Sequence, residues 1–106
     1  MMISIHIQDA QRGVPANRIP VELDLFNSTQ GWVEVGHGIT NTEGDIEDFG
    51  EHPTPGIYRL MIDIASYHTN AFFPSISVTF EIRDPHEPHH IELVLSPFGY
   101  SVHRGI

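Results

Sequence analysis

Ile3-Ser4-Ile5-His6-Ile7-Gln8 alternates apolar and polar side chains without interruption. A period of two is that of a half-buried β-strand, with the three Ile on one face and His6 on the other. The same alternation returns along the chain. Val21, Leu23 and Leu25 alternate with Glu22, Asp24 and Phe26 after Pro20, and Trp32 to Val35 follows the hairpin-like loop Asn27-Ser28-Thr29-Gln30-Gly31. Ile57 to Ile64 alternates again, as does Ser75 to Arg83, with Ile76, Val78, Phe80 and Ile82 on one face. His90 to Leu95 and Gly99 to Arg104 close the set on either side of Ser96-Pro97-Phe98. Turn residues punctuate these runs: Gly13 and Pro15, then Asn41-Thr42-Glu43-Gly44, then an acidic, Pro-rich segment from Ile46 to Gly56. Only Ala65 to Ala71 leaves room for a helical turn or two. Short strands with turn signals at about ten-residue spacing predict an all-β sandwich, antiparallel in its first half.

With 106 residues the chain is read as one unit, 1–106, since a domain typically takes roughly 150. Hydrophobic residues make up 40% and charged residues 18%, a composition that folds. The absence of Cys excludes disulfides, thiolate nucleophiles, iron–sulfur clusters and cysteine zinc sites. All five cations are Arg, so lysine Schiff-base chemistry is excluded as well. Fourteen acids bring the net charge to −9, which argues against nucleic acid as a partner. Protonation of the eight His would cancel all but one unit of that charge, so poor solubility is expected in mild acid. The opening residues lack a basic region followed by an apolar run, and no stretch approaches the ~20 apolar residues of a membrane span. A soluble, cytoplasmic protein without a membrane partner is the expectation.

Gly36-His37-Gly38 lacks the later glycine of a phosphate cradle, and no Ser sits in a Gly-x-Ser-x-Gly context. Catalysis would then fall to His as acid or base, or to a His-liganded metal. His37, His52, His68 and His86 sit in or beside polar turns or loops, where solvated surface roles suffice. His6, His90 and His103 lie on the polar faces of predicted strands. Singly, each reads as a satisfied structural His; together they make a shared site if those faces converge. His89 and His90, being adjacent on a strand, point apart and cannot ligate one ion. The three His with Asp45 or Glu92 offer ligand types suited to zinc or iron, at a spacing that is not diagnostic. Glu47 and Asp48 read as guards against edge-to-edge strand pairing.

Ile5-His6-Ile7-Gln8-Asp9, Thr40-Asn41-Thr42-Glu43-Gly44, Gly56-Ile57-Tyr58-Arg59-Leu60, Phe72-Phe73-Pro74 and Ser96-Pro97-Phe98-Gly99-Tyr100-Ser101 with Arg104-Gly105 together resemble the transthyretin-related 5-hydroxyisourate hydrolases. The resemblance spans essentially the whole chain, and its C-terminal pattern Ser-Pro-x-x-Tyr-Ser-x-x-Arg-Gly is specific. It implies a mixed two-sheet β-sandwich of four-stranded sheets with one short helix. It also implies a homotetramer built by edge-strand pairing, with the small-molecule substrate in a channel between dimers. The implied reaction opens a urea-type ring by attack of an activated water, without cofactor or metal.

Position by position, His6 matches the family's first-strand His, His90 its penultimate-strand His, and Arg104-Gly105 part of its tail. His6 is thereby implied as general base, His90 as its partner or acid, and Arg104 as a structural or charge-stabilising tail residue. Where the family has Arg directly after the turn, this chain has Asp45; where the tail has Tyr and Ser, it has His103 and Ile106; a usual Pro is Glu92. Asp supplies the opposite charge and no donor when ionised. Losing a hydrogen bond to a charged group costs about 1.5–3 kcal/mol, or one to two orders of magnitude. Asp45, His103 and Ile106 would therefore define a changed specificity. The alternatives are a pocket retuned for another ring substrate, or a small-ligand binder without catalysis.

Overall fold

A computed structural model describes residues 3–49 and 53–105. Among the described residues the strands are β1 (Ile3–Asp9), β2 (Val14–Pro15), β3 (Pro20–Asn27), β4 (Gly31–Ile39), β5 (Asp45–Ile46), β6 (Gly56–Asp63), β7 (Ser75–Ile82), β8 (His89–Ser96) and β9 (Gly99–Gly105). Two sheets form a sandwich: β2-β1-β8-β9, with β5 also paired to β1, and β4-β3-β6-β7. All pairings are antiparallel except β1 with β8, so the first sheet is mixed.

The alternation read from the sequence becomes two faces. Ile3, Ile5 and Ile7 of β1 and Ile91, Leu93 and Leu95 of β8 point inward, against Val21, Leu23, Leu60, Ile62, Ile76 and Ile82 of the other sheet. Burying each such side chain contributes ~1.5–3 kcal/mol, so the inward faces fix the register and leave Ser4, His6, Gln8, His90 and Glu92 facing outward.

The described residues contain no helix, and none long and apolar enough to cross a membrane. The short helix implied for the fold is here a single turn, in which the His68 amide donates to the Ile64 carbonyl at 2.9 Å and Pro74 caps the amides of Ile64 and Ala65. One turn fixes too few bonds to propagate without packing on a longer apolar face. Strand β4 is longer than Trp32–Val35, and His37 lies within it rather than in a loop. Gly36 and Gly38 belong there because a Cβ would stand 3.0 Å from the Phe49 carbonyl oxygen or 3.1 Å from Ile46. Pro15, read as a turn residue, sits in the two-residue edge strand β2.

Candidate active site

The turn before β5 delivers Asp45 to β1. Asn41 Oδ1 accepts from the amides of Glu43 and Asp45 at 2.9 and 3.0 Å, and the Gly44 amide donates back to the Asn41 carbonyl. Gly44 has φ +79°, and a Cβ there would stand 2.5 Å from the Ile7 carbonyl oxygen, so only glycine fits. Thr40 ties the turn down: its hydroxyl donates to the Ala16 carbonyl and accepts from the Ile19 amide, both at 2.8 Å. The result is a register in which Asp45 lies opposite His6.

On the outward face of the first sheet, two rows of side chains run across the strands. One is Asp45, His6, Glu92 and His103; the other is Ser4, His90 and Gly105. His6 Nδ1 is 2.7 Å from Asp45 Oδ1, and its Nε2 is 3.2 Å from Gln8 Oε1. Two acceptors on two ring nitrogens suit the imidazolium. Burial, the largest single effect, pushes His6 down. The hydrogen bonds to Asp45 and Gln8 and the charges of Asp45 and Glu92 outweigh it together, leaving His6 above its ordinary 6.5.

His90 is arranged differently. Its Nε2 lies 2.9 Å from Glu92 Oε1 and its Nδ1 2.7 Å from Ser4 Oγ. A carboxylate can only accept, so Nε2 carries a proton; the Ser4 hydroxyl donates to Nδ1 when the ring is neutral and accepts from it when the ring is charged. Gly105 packs against this ring: a Cβ there would come within 2.5 Å of His90 Cδ2. A shallow cleft lined by Ser4, Ile5, Asp45, Ile46, Glu47 and His90 opens beside the pair. Its lining holds two acids beyond the His and no Arg.

His6, His90, Asp45 and His103 thus share one face. Arg104 does not join them within the chain. It pairs in register with core-facing Ile91, so its side chain leaves β9 on the opposite face, well exposed and 3.5 Å from Glu87. Ile106 and His52 lie outside the described residues. His89, adjacent to His90, points into the core, where its Nδ1 is buried with no hydrogen-bond partner among the described residues. Among the described residues no three His, Cys, Asp or Glu gather closely enough to hold a metal ion, so the His-rich metal centre left open by residue type has no counterpart in the geometry. The roles of Ser4 and Glu92 as the two partners of His90 were not read from the sequence. Glu92 carries a local signal, since positions two apart on a strand share a face, whereas Ser4 meets His90 only through the long-range β1–β8 register.

Residues 3–105 match the model of the HIUase/Transthyretin family. The chain is 32% identical over 118 residues to the uric acid degradation bifunctional protein of Arabidopsis thaliana, covering 97% of this chain but only 36% of that protein. It is 34% identical over 110 residues to the 5-hydroxyisourate hydrolase of Salmonella typhimurium, covering 98% of this chain and 80% of the relative. In structure it resembles sea bream transthyretin solved with thyroxine, with a TM-score of 0.92 at 26% identity over 100% of this chain and 96% of that one.

Proposed function

Because the chain belongs to the HIUase/Transthyretin family, we propose that it is a divergent 5-hydroxyisourate hydrolase-like enzyme that opens a cyclic ureide or amide by His-assisted proton transfer. The observation that carries this reading is the pair of His–carboxylate contacts, His6–Asp45 and His90–Glu92, on one sheet face. They give the two imidazoles different surroundings, His6 between Asp45 and Gln8 and His90 between Glu92 and the Ser4 hydroxyl, and acid–base catalysis draws on two groups whose environments differ in this way. His90, with a lone pair on Nδ1, takes the proton from the attacking oxygen. His6, charged beside Asp45, gives one to the departing ring nitrogen. This exchanges the general-base role that the family resemblance implied for His6.

The whole chain acts as one transthyretin-like unit, in the cytoplasm and as a homotetramer. Strands β7 and β9 end their sheets and offer unpaired edges for symmetric pairing, which would place the His face along a channel between dimers. Arg104, on the far side of β9, would then serve at that edge rather than on the His face of its own chain.

The test is the decay of freshly generated 5-hydroxyisourate followed by ultraviolet absorbance. Acceleration by the protein that is lost in His6→Ala and His90→Ala supports the reading; no acceleration by folded protein overturns it. One observation favours a second reading, a pocket retuned for a less anionic ring. Asp45 is anchored on His6 at 2.7 Å, where the family resemblance places Arg. On that reading Asp45→Arg raises turnover of 5-hydroxyisourate and lowers it on the preferred substrate.

A further inference from the structure

We propose that Ser4 is a nucleophile, activated by His90 and Glu92, and that the protein passes through an acyl enzyme when it hydrolyses activated acyl compounds such as esters and strained cyclic amides. With the ring neutral the proton path is continuous: Ser4 Oγ–H to His90 Nδ1 across 2.7 Å, then His90 Nε2–H to Glu92 Oε1 across 2.9 Å. A hydroxyl hydrogen-bonded to an imidazole whose other nitrogen is held by a carboxylate is the arrangement that activates a serine, whatever the fold or chain order. Here the two ring nitrogens have exchanged partners relative to the common arrangement, which leaves the direction of proton flow unchanged.

Three further features fit a reacting group rather than a spare surface contact. Ser4 and His90 both line the cleft, so the serine–imidazole contact borders open space. Little room is left between the ring and β9, since a Cβ on Gly105 would come within 2.5 Å of His90 Cδ2. Ser4 and His90 are paired in register across the parallel β1–β8 ladder, so backbone hydrogen bonds hold nucleophile and base in place.

The steps balance. Ser4 Oγ bonds to the carbonyl carbon while its proton moves to His90 Nδ1, and Glu92 holds Nε2–H beside the resulting imidazolium. The carbonyl re-forms as the C–O or C–N bond to the leaving group breaks, and the leaving atom takes the proton from Nδ1, so on this route His90 fills the donor role that direct attack of water gives to His6. Water then attacks the Ser4 ester with His90 Nδ1 as base, and the proton returns to Ser4 Oγ as the acid product departs.

The inference rests on the proposed function for its cyclic-amide substrates, but its test does not require 5-hydroxyisourate. The protein is mixed with p-nitrophenyl acetate, p-nitrophenolate release is followed, and acid-quenched samples are analysed by intact mass and peptide mapping. The expected result is one acetyl group per chain on Ser4, absent in Ser4→Ala, retained as a thioester in Ser4→Cys, and formed at least about tenfold more slowly in Glu92→Gln. Acetylation confined to His or the N-terminus, or unchanged in Ser4→Ala, overturns the proposal. Unchanged 5-hydroxyisourate decay in folded Ser4→Ala overturns Ser4 as nucleophile for that ring while leaving the hydrolase reading intact. An acetyl-Ser4 adduct in a protein that leaves 5-hydroxyisourate untouched supports Ser4 and overturns that reading instead.

Discussion

The outward faces of the two sheets are both charged, yet they are wired in opposite ways. On β3, β4 and β6 the charges neutralise one another: Arg59 donates to Asp24 Oδ2 through Nε at 3.2 Å and Nη2 at 2.9 Å, and its guanidinium lies 4.3 Å from the Trp32 ring centroid. Asp24 is 1% exposed with its Oδ1 unpartnered, and Glu22 is held up at about 7, chiefly by a hydrogen bond to Asp24, with burial and the charges of Asp24 and Glu34 adding and Arg59 opposing. On the outward face of β1, β5 and β8 the acids Asp45 and Glu92 meet His, a cleft opens beside them, and no Arg lines it. A face whose charges are all consumed internally holds structure; one whose proton donors and acceptors stay reachable can do chemistry.

That contrast can be broken at its strongest point by Asp24→Ala, which strands Arg59. Unfolding by denaturant should show a loss of about 3–5 kcal/mol, with turnover per folded molecule unchanged. A stable variant with reduced turnover would erase the distinction between the faces. Asp45→Asn is the mirror experiment. It should cost under about 1 kcal/mol of stability, because the His6–Asp45 pair is partly exposed, while lowering the His6 pKa measured by NMR and slowing ring opening about tenfold or more.

Arg59→Lys has a smaller effect, roughly 1 kcal/mol, by losing the two-point contact with Asp24 and the flat stacking on Trp32. The subtlest test is Glu22→Gln. Glu22 binds its proton more tightly in the folded chain than at its ordinary 4.5, so the stability it contributes is complete below about pH 4.5 and lost as pH rises through about 7. The variant should flatten that decline in thermal unfolding curves. His6, also raised, acts in the same direction: its contribution is full below 6.5 and fades above its folded value. A Glu22→Gln profile as steep as the parent's would assign the decline to His6.

Alternation made the inward faces legible, because burial enforces a period of two on residues such as Ile5, Ile7, Ile76 and Ile82. It could not reveal β4 beyond Val35, where Gly36 and Gly38 look like loop residues until Phe49 and Ile46 are seen pressing on them. The family resemblance placed His6, Asp45 and His90 together in the sequence. What they do to one another depends on register, and register is a long-range property. Nothing local distinguishes β1 pairing with β8 from β1 pairing with β3, and only the former sets Ser4 beside His90. Arg104 shows the limit in the other direction, since its motif was plain while its face was settled by a one-residue offset from His103.

The parallel pairing of β1 with β8 also has a consequence in time. Ser4 and His90 meet across 86 positions of sequence, whereas β3, β4 and β6 pair with near neighbours. A contact of that span must overcome a large loop-closure entropy before it returns any energy. During synthesis β1 therefore emerges well before its longest-paired partner, with only the two-residue strands β2 and β5 to pair with until β8 has left the ribosome. On dilution from denaturant the second sheet should protect its amides from hydrogen exchange earlier, and the cleft should be the last part of the molecule to exist.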